Sequence, residues 1–118
     1  MTRPIGILYE HPEWFTRLVI MDTGPFTGKG FVEAVDRELR AIGVGRIATI
    51  CGRYYAMDRD KRWDRVQLAY DALVSARGAR AADAIGAVRA SYAAGVTDEF
   101  LKPQIIGEYA GMNDGDGI

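Results

Sequence analysis

The sequence predicts an α/β domain with a mostly parallel sheet and helices on its faces, built on a βαβ unit. Three observations predict it. RLVIMD (17–22) is a continuous apolar run closed by an aspartate, the pattern of a strand buried on both faces. From Phe31 onward Val32, Val35, Leu39 and Ile42 recur at helical spacing, with Glu33, Asp36, Arg37 and Arg40 between them. RIATIC (46–51) is a second apolar run of strand length. Strand, helix and strand in this order form a parallel pair with a right-handed crossover.

The remaining elements follow in chain order. IGILY (5–9) is a candidate short strand, broken by EHPEW, where Pro12 and the residue before it resist regular structure. TGPFTGKG (23–30) is loop chemistry, and Gly43 ends the first helix in the left-handed conformation that favours glycine. After RIATIC comes a charged stretch, GRYYAMDRDKRW (52–63), in which Asp58 or Asp60 is placed to cap a helix. Trp63, Val66, Tyr70 and Leu73 form that helix's apolar stripe, which runs to about Ala76. RGARA (77–81) reads as a connector. Residues 82–95 form a further helix with Ile85, Val88 and Tyr92 on one face and Gly95 as its stop. TDEFLKP (97–103) gives one helical turn, ended by Pro103; QIIGEY (104–109) is a last strand; 110–118 is loop.

Length and composition bound the function. The 118 residues fit one domain with a real core, 48% apolar and 26% charged. A net charge of -1 gives no reason to expect nucleic-acid binding, so any cation cluster acts locally. The single cysteine, Cys51, excludes an intrachain disulfide and any multi-cysteine metal site; it lies in an apolar run and reads as a buried, inert thiol, consistent with a cytoplasmic protein. No apolar stretch approaches the roughly 20 residues of a membrane span, and the N-terminus lacks a signal-peptide layout.

The stretch that carries chemistry is 52–63, with Arg53, Arg59, Lys61 and Arg62 at the end of a strand. Guanidinium forks match carboxylate and phosphate oxygens, and ligands of open α/β sheets bind outside the carboxyl ends of strands. If the two apolar runs are parallel, Asp22 emerges at the same edge. The opposing reading is a solvated charged loop with internal Asp–Arg pairs. Tyr54 and Tyr55 read as packing rather than as a stacking surface. The glycine loop is not a nucleotide P-loop: from Gly24 the lysine arrives one residue early, and Gly30 stands where a hydroxyl is required. His11, the one histidine, supports neither a catalytic triad nor a histidine metal site, and Asp114 and Asp116 make only half of a calcium loop.

GVGRIATICGRYYAMDRDKRW, SYAAGVTDEFLKPQII and MNDGDGI occur in an order that resembles the cofactor-independent phosphoglycerate mutases. The similarity runs over residues 21–118 and leaves 1–20 as a segment outside the family pattern. It implies the family's inserted α/β domain, stopping at its C-terminus where the family continues. In that family the two arginines of GRYYAMDR bind substrate, which implies Arg53 and Arg59 here. An upstream Asp-Gly-Arg-Asp-Thr-Pro-Pro aligns its last Arg and Asp with Met21 and Asp22, so Asp22 is retained and one arginine is not. The resemblance implies weak binding of 3-phosphoglycerate or a similar small phosphorylated acid, with no nucleic acid and no membrane as partner. The parent reaction is the glycolytic interconversion of 3- and 2-phosphoglycerate by an isomerase. It uses a serine nucleophile and two manganese ions held by a phosphatase-like domain that this stretch lacks, which implies no cofactor in this chain and no catalysis by it alone. Two alternatives stay open: a folded interaction module whose anion site has decayed, or a subunit completed in trans by a metal-bearing phosphatase-like domain.

Overall fold

The computed structural model describes residues 18–21 and 28–116; Asp22, His11 and the candidate strand at 5–9 lie outside the described residues. The elements are β1 (Leu18–Met21), α1 (Gly28–Ile42), β2 (Ile47–Cys51), the one-turn α2 (Arg53–Ala56), α3 (Trp63–Ser75), β3 (Ala79–Ala81), α4 (Ala84–Ala93), a 3₁₀ turn (Asp98–Phe100) and β4 (Gln104–Ile106). The predicted βαβ unit is present: β1 and β2 are parallel, with Leu18 opposite Ile47 and Met21 opposite Cys51. α1 ends at Gly43, which sits at φ +81°, where a side chain would be disfavoured. Asp83 caps α4 by accepting the Gly86 N–H at 2.6 Å.

The sheet matches the expected parallel arrangement only in part. Its order is β1-β2-β4-β3. β3 and β4 are parallel to each other, but β4 runs antiparallel to β2, with Thr49 opposite Ile105 and Ile50 opposite Gln104. The sheet is therefore mixed, two parallel pairs joined at an antiparallel seam. β3 lies where a connector was expected. Its residues, Ala-Arg-Ala, show no apolar alternation and are largely exposed; pairing with β4 makes them a strand, not their own pattern. β4 is shorter than predicted because Gly107, at φ +59°, turns the chain and donates its N–H to the Ala81 carbonyl.

Every residue of β2 is buried, as a strand covered on both faces must be. On one side Val32, Val35 and Leu39 of α1 and Ala84 and Val88 of α4 share a core with Ile47, Ile50, Leu101 and Ile106. On the other, Ala72 of α3 packs with Ala48, Ile105 and Tyr109. The buried Tyr109 hydroxyl donates to the Leu73 carbonyl at 2.6 Å. The stripe expected to hold α3 down does not do so. Trp63 is 72% exposed and Tyr70 56%, while Val66 and Leu73 are half-buried. The small Ala72 is the one residue of the helix that is fully buried, and the two aromatic residues of the stripe are exposed.

Candidate functional site

The antiparallel seam decides what meets at the end of β2. Because β4 runs against β2, the segment that precedes β4 arrives at the carboxyl end of β2. A parallel β4 would have brought residues after Ile106 there instead. Gly52 is the junction. Its N–H donates to the Leu101 carbonyl at 2.8 Å, and a Cβ built on it would lie 2.5 Å from the Asp98 carbonyl oxygen and closer still to that of Glu99. Only a residue without a side chain lets the 3₁₀ turn lie this close to the strand end.

Arg53 opens α2 immediately after this junction, and its Nη2 donates to Glu99 Oε2 at 2.8 Å. Both side chains remain substantially exposed, 57% for Arg53 and 41% for Glu99. Asp98 next to it accepts a short hydrogen bond from the Tyr92 hydroxyl, which itself accepts the Lys29 N–H in the first turn of α1 at 3.4 Å. The C-terminal end of α4, the N-terminal end of α1, the strand end and the 3₁₀ turn thus converge on one rim. β1 ends at this rim too, since Met21 pairs with Cys51.

The rest of the charged stretch divides into structural and exposed groups. The Asp58 side chain is only 2% exposed; its Oδ2 accepts the Arg62 N–H at 2.8 Å and its Oδ1 lies 3.5 Å from Arg65 Nη1. Asp58 therefore braces the entry to α3 through the backbone of Arg62, and the cation that answers it is Arg65. That guanidinium also sits 3.8 Å from the centre of the Tyr54 ring, which packs edge-on to Tyr55 and against Phe100, each at 5.1 Å. The aromatic pair is packing, as expected. The loop contains an internal Asp–Arg pair, as the solvated-loop reading required, but Asp58 does not engage Arg53 or Arg59. Arg59, Lys61 and Arg62 are exposed, and Arg59 makes no ion pair among the described residues.

Arg53 stands at the predicted place, and Arg59 lies on the loop beyond α2 with no contact joining the two. Glu99 and Arg65 were missed as parts of this region, whereas Asp58 was read as a cap and does brace the helix entry. The signal for Glu99 was the acidic TDEF turn, which means little until β4 is known to run antiparallel. Cys51 is buried, and its thiol pKa is pushed up to about 12 by burial, which makes it a poor nucleophile. Burial also raises the Tyr55 phenol, with the neighbouring Tyr54 adding to the shift. Among the described residues no three His, Cys, Asp or Glu side chains gather as a metal site requires.

The family described as the BPG-independent phosphoglycerate mutase N-terminus matches residues 21–118. The chain belongs to this family. It is 53% identical over 102 residues to the 2,3-bisphosphoglycerate-independent phosphoglycerate mutase of Myxococcus xanthus, covering 82% of this chain and 20% of that protein. To the enzyme of the same name from Lachnoclostridium phytofermentans it is 56% identical over 85 residues, 72% of this chain and 16% of that one. The chain spans about a fifth of the length of these relatives. Among solved structures, a Leishmania mexicana phosphoglycerate mutase crystallised at low cobalt concentration superposes with a TM-score of 0.80 over 98% of this chain and 25% of that one. At 22% identity this is a likeness of fold.

Proposed function

We propose that this family domain is a phosphoglycerate-binding half-site. In it Arg53 and Arg59 grip the phosphate and carboxylate, and Asp22 hydrogen-bonds a glycerate hydroxyl. The observation that supports this most is the placement of Arg53: an exposed guanidinium at the carboxyl end of a buried strand, in the family's GRYYAMDR motif. The serine and manganese pair of the parent isomerase belong, by resemblance, to a domain outside this stretch. On this reading the chain binds substrate in the cytoplasm and turns it over only with a metal-bearing phosphatase-like domain in trans. Two guanidinium contacts without a closing second domain give a dissociation constant on the order of 1 mM.

The test is an amide titration by NMR with 3-phosphoglycerate on wild type, Arg53→Ala and Arg59→Ala. Shifts clustered around Asp22, Arg53 and Arg59 and lost in both variants are expected. A well-dispersed spectrum indifferent to the ligand would refute the proposal. It would favour the second reading, an interaction module, which rests on the exposure of Trp63 and Tyr70 along α3. That reading expects self-association or partner binding unaffected by phosphoglycerate, measured by light scattering.

A further inference from the structure

We infer that the outward face of α3 is a self-association surface, on which a second copy of this chain lays its own α3 antiparallel about a two-fold axis. Trp63, Gln67, Tyr70 and Val74 recur at helical spacing and share one face. Trp63, Gln67 and Tyr70 are exposed and Val74 is half-buried. The side that meets the core is small: Ala72 is buried with Ala48, Ile105 and Tyr109, and Ala76 packs against them. A helix held to its domain by alanines, with a tryptophan and a tyrosine turned to water, carries its larger apolar surface on the side away from the core.

Charge selects the occupant of that face. Before the first turn of α3 stand the exposed Arg59, Lys61 and Arg62, against the acids Asp60 and Asp64. At the other end the chain returns to the helix: the Met112 N–H donates to the Val74 carbonyl at 2.9 Å, and Gly111 lies against Val74 and Ser75. The exposed turn with Asp114 and Asp116 starts there, with Asp71 in the last turns of the helix and Arg77 as the opposing cation. Within one copy this polarity runs against the helix dipole, whose N-terminus favours acids and whose C-terminus favours cations. In an antiparallel pair the cationic end of each copy lies beside the acidic end of the other, and the two-fold axis makes that contact twice. With the axis between Gln67 and Tyr70, each Gln67 lies opposite the other copy's Tyr70, and each Trp63 opposite Val74. One helix about 20 Å long gives a contact that is small beside the roughly 800 Å² per partner of stable complexes, so the dimer is weak and concentration-dependent. The inference does not rest on the phosphoglycerate reading, and its test contains no phosphoglycerate.

The test is sedimentation equilibrium of the whole chain from about 10 µM to 1 mM, the range of weak association. The mass should rise from that of one chain towards that of two. Trp63→Ala and Tyr70→Ala should each weaken the dimer by about tenfold or more, as loss of a central aromatic does, with circular dichroism unchanged. Arg62→Glu and Asp114→Lys should each weaken it roughly two- to fivefold, the range of exposed ion pairs, and the double variant should recover the wild-type constant because the two reversed charges meet across the axis. Trp14→Phe leaves Trp63 as the only tryptophan, and its emission should shift to shorter wavelength as the dimer forms. A single-chain mass at every concentration would overturn the inference and leave the face to a partner of another kind. A dimer that survives both aromatic substitutions, with Trp63 emission unmoved, would overturn it by placing self-association elsewhere. A double charge variant no tighter than either single one would overturn the antiparallel pairing.

Discussion

Gly52→Ala isolates the closeness of the strand end and the 3₁₀ turn from any backbone preference. Gly52 has φ -75° and ψ 154°, values alanine adopts without strain. The whole cost must then come from the new methyl, which would sit 2.5 Å or less from the Asp98 and Glu99 carbonyl oxygens. Those are backbone atoms and cannot swing aside, so the turn must move away. Overpacking of this kind costs about 1–3 kcal/mol. Moving the turn also lengthens the buried hydrogen bond from Gly52 to Leu101, worth about 1 kcal/mol. The sum is about 2–4 kcal/mol, to be read by urea denaturation followed by circular dichroism. Gly43→Ala is the comparison. It places a methyl in open space but at φ +81°, a left-handed position that costs about 1–2 kcal/mol. Gly52→Ala should be the more damaging of the two despite its ordinary dihedrals. Equal or smaller damage at Gly52 would show that the turn is not held against the strand.

Asp58→Ala should cost about 2–4 kcal/mol in the same assay, because it leaves the largely buried Arg65 without its carboxylate and the Arg62 N–H without its acceptor. Tyr109→Phe should cost about 1–2 kcal/mol, since the ring stays packed while the Leu73 carbonyl loses its donor. Cys51 has a folded pKa of about 12 against an ordinary unfolded value of about 8.5, so the fold favours the protonated thiol. Stability should be unaffected by this group below about pH 8.5 and should fall as pH climbs from there towards 12; a Cys51→Ala variant should lose that alkaline slope. Trp63→Ala should change stability by less than about 0.5 kcal/mol, because the indole is 72% exposed, and a larger loss would show that the stripe is packed after all.

The βαβ unit was legible because its physics is local. A strand covered on both faces must be largely apolar, and IATIC is, with Thr49 its one polar residue. α1 begins three residues before the predicted Phe31, since Gly28, Lys29 and Gly30 offer little propensity to read. What could not be read was direction. The apolar content of Ile105 and Ile106 announces a strand, but nothing in those residues says which way it runs beside β2. β3 was invisible for a related reason, its strand character being lent by β4. The stripe of α3 misled because periodicity shows that large apolar residues share a face without showing that the face is inward. In the site, Arg53 was found from its motif, while its carboxylate partner lies 46 positions away and enters only through the antiparallel seam.

That seam also bears on synthesis. Ile50 is paired with Gln104, so β2 leaves the ribosome more than fifty residues before the strand that closes its far edge. At roughly 5–20 residues per second the wait is on the order of 3–10 s. Throughout it the strand that the fold buries on both faces has β1 on one side and nothing of its own to pair with on the other. Exposed strand edges of this kind are where chains join one another, so premature release between Cys51 and Gln104 should yield insoluble product.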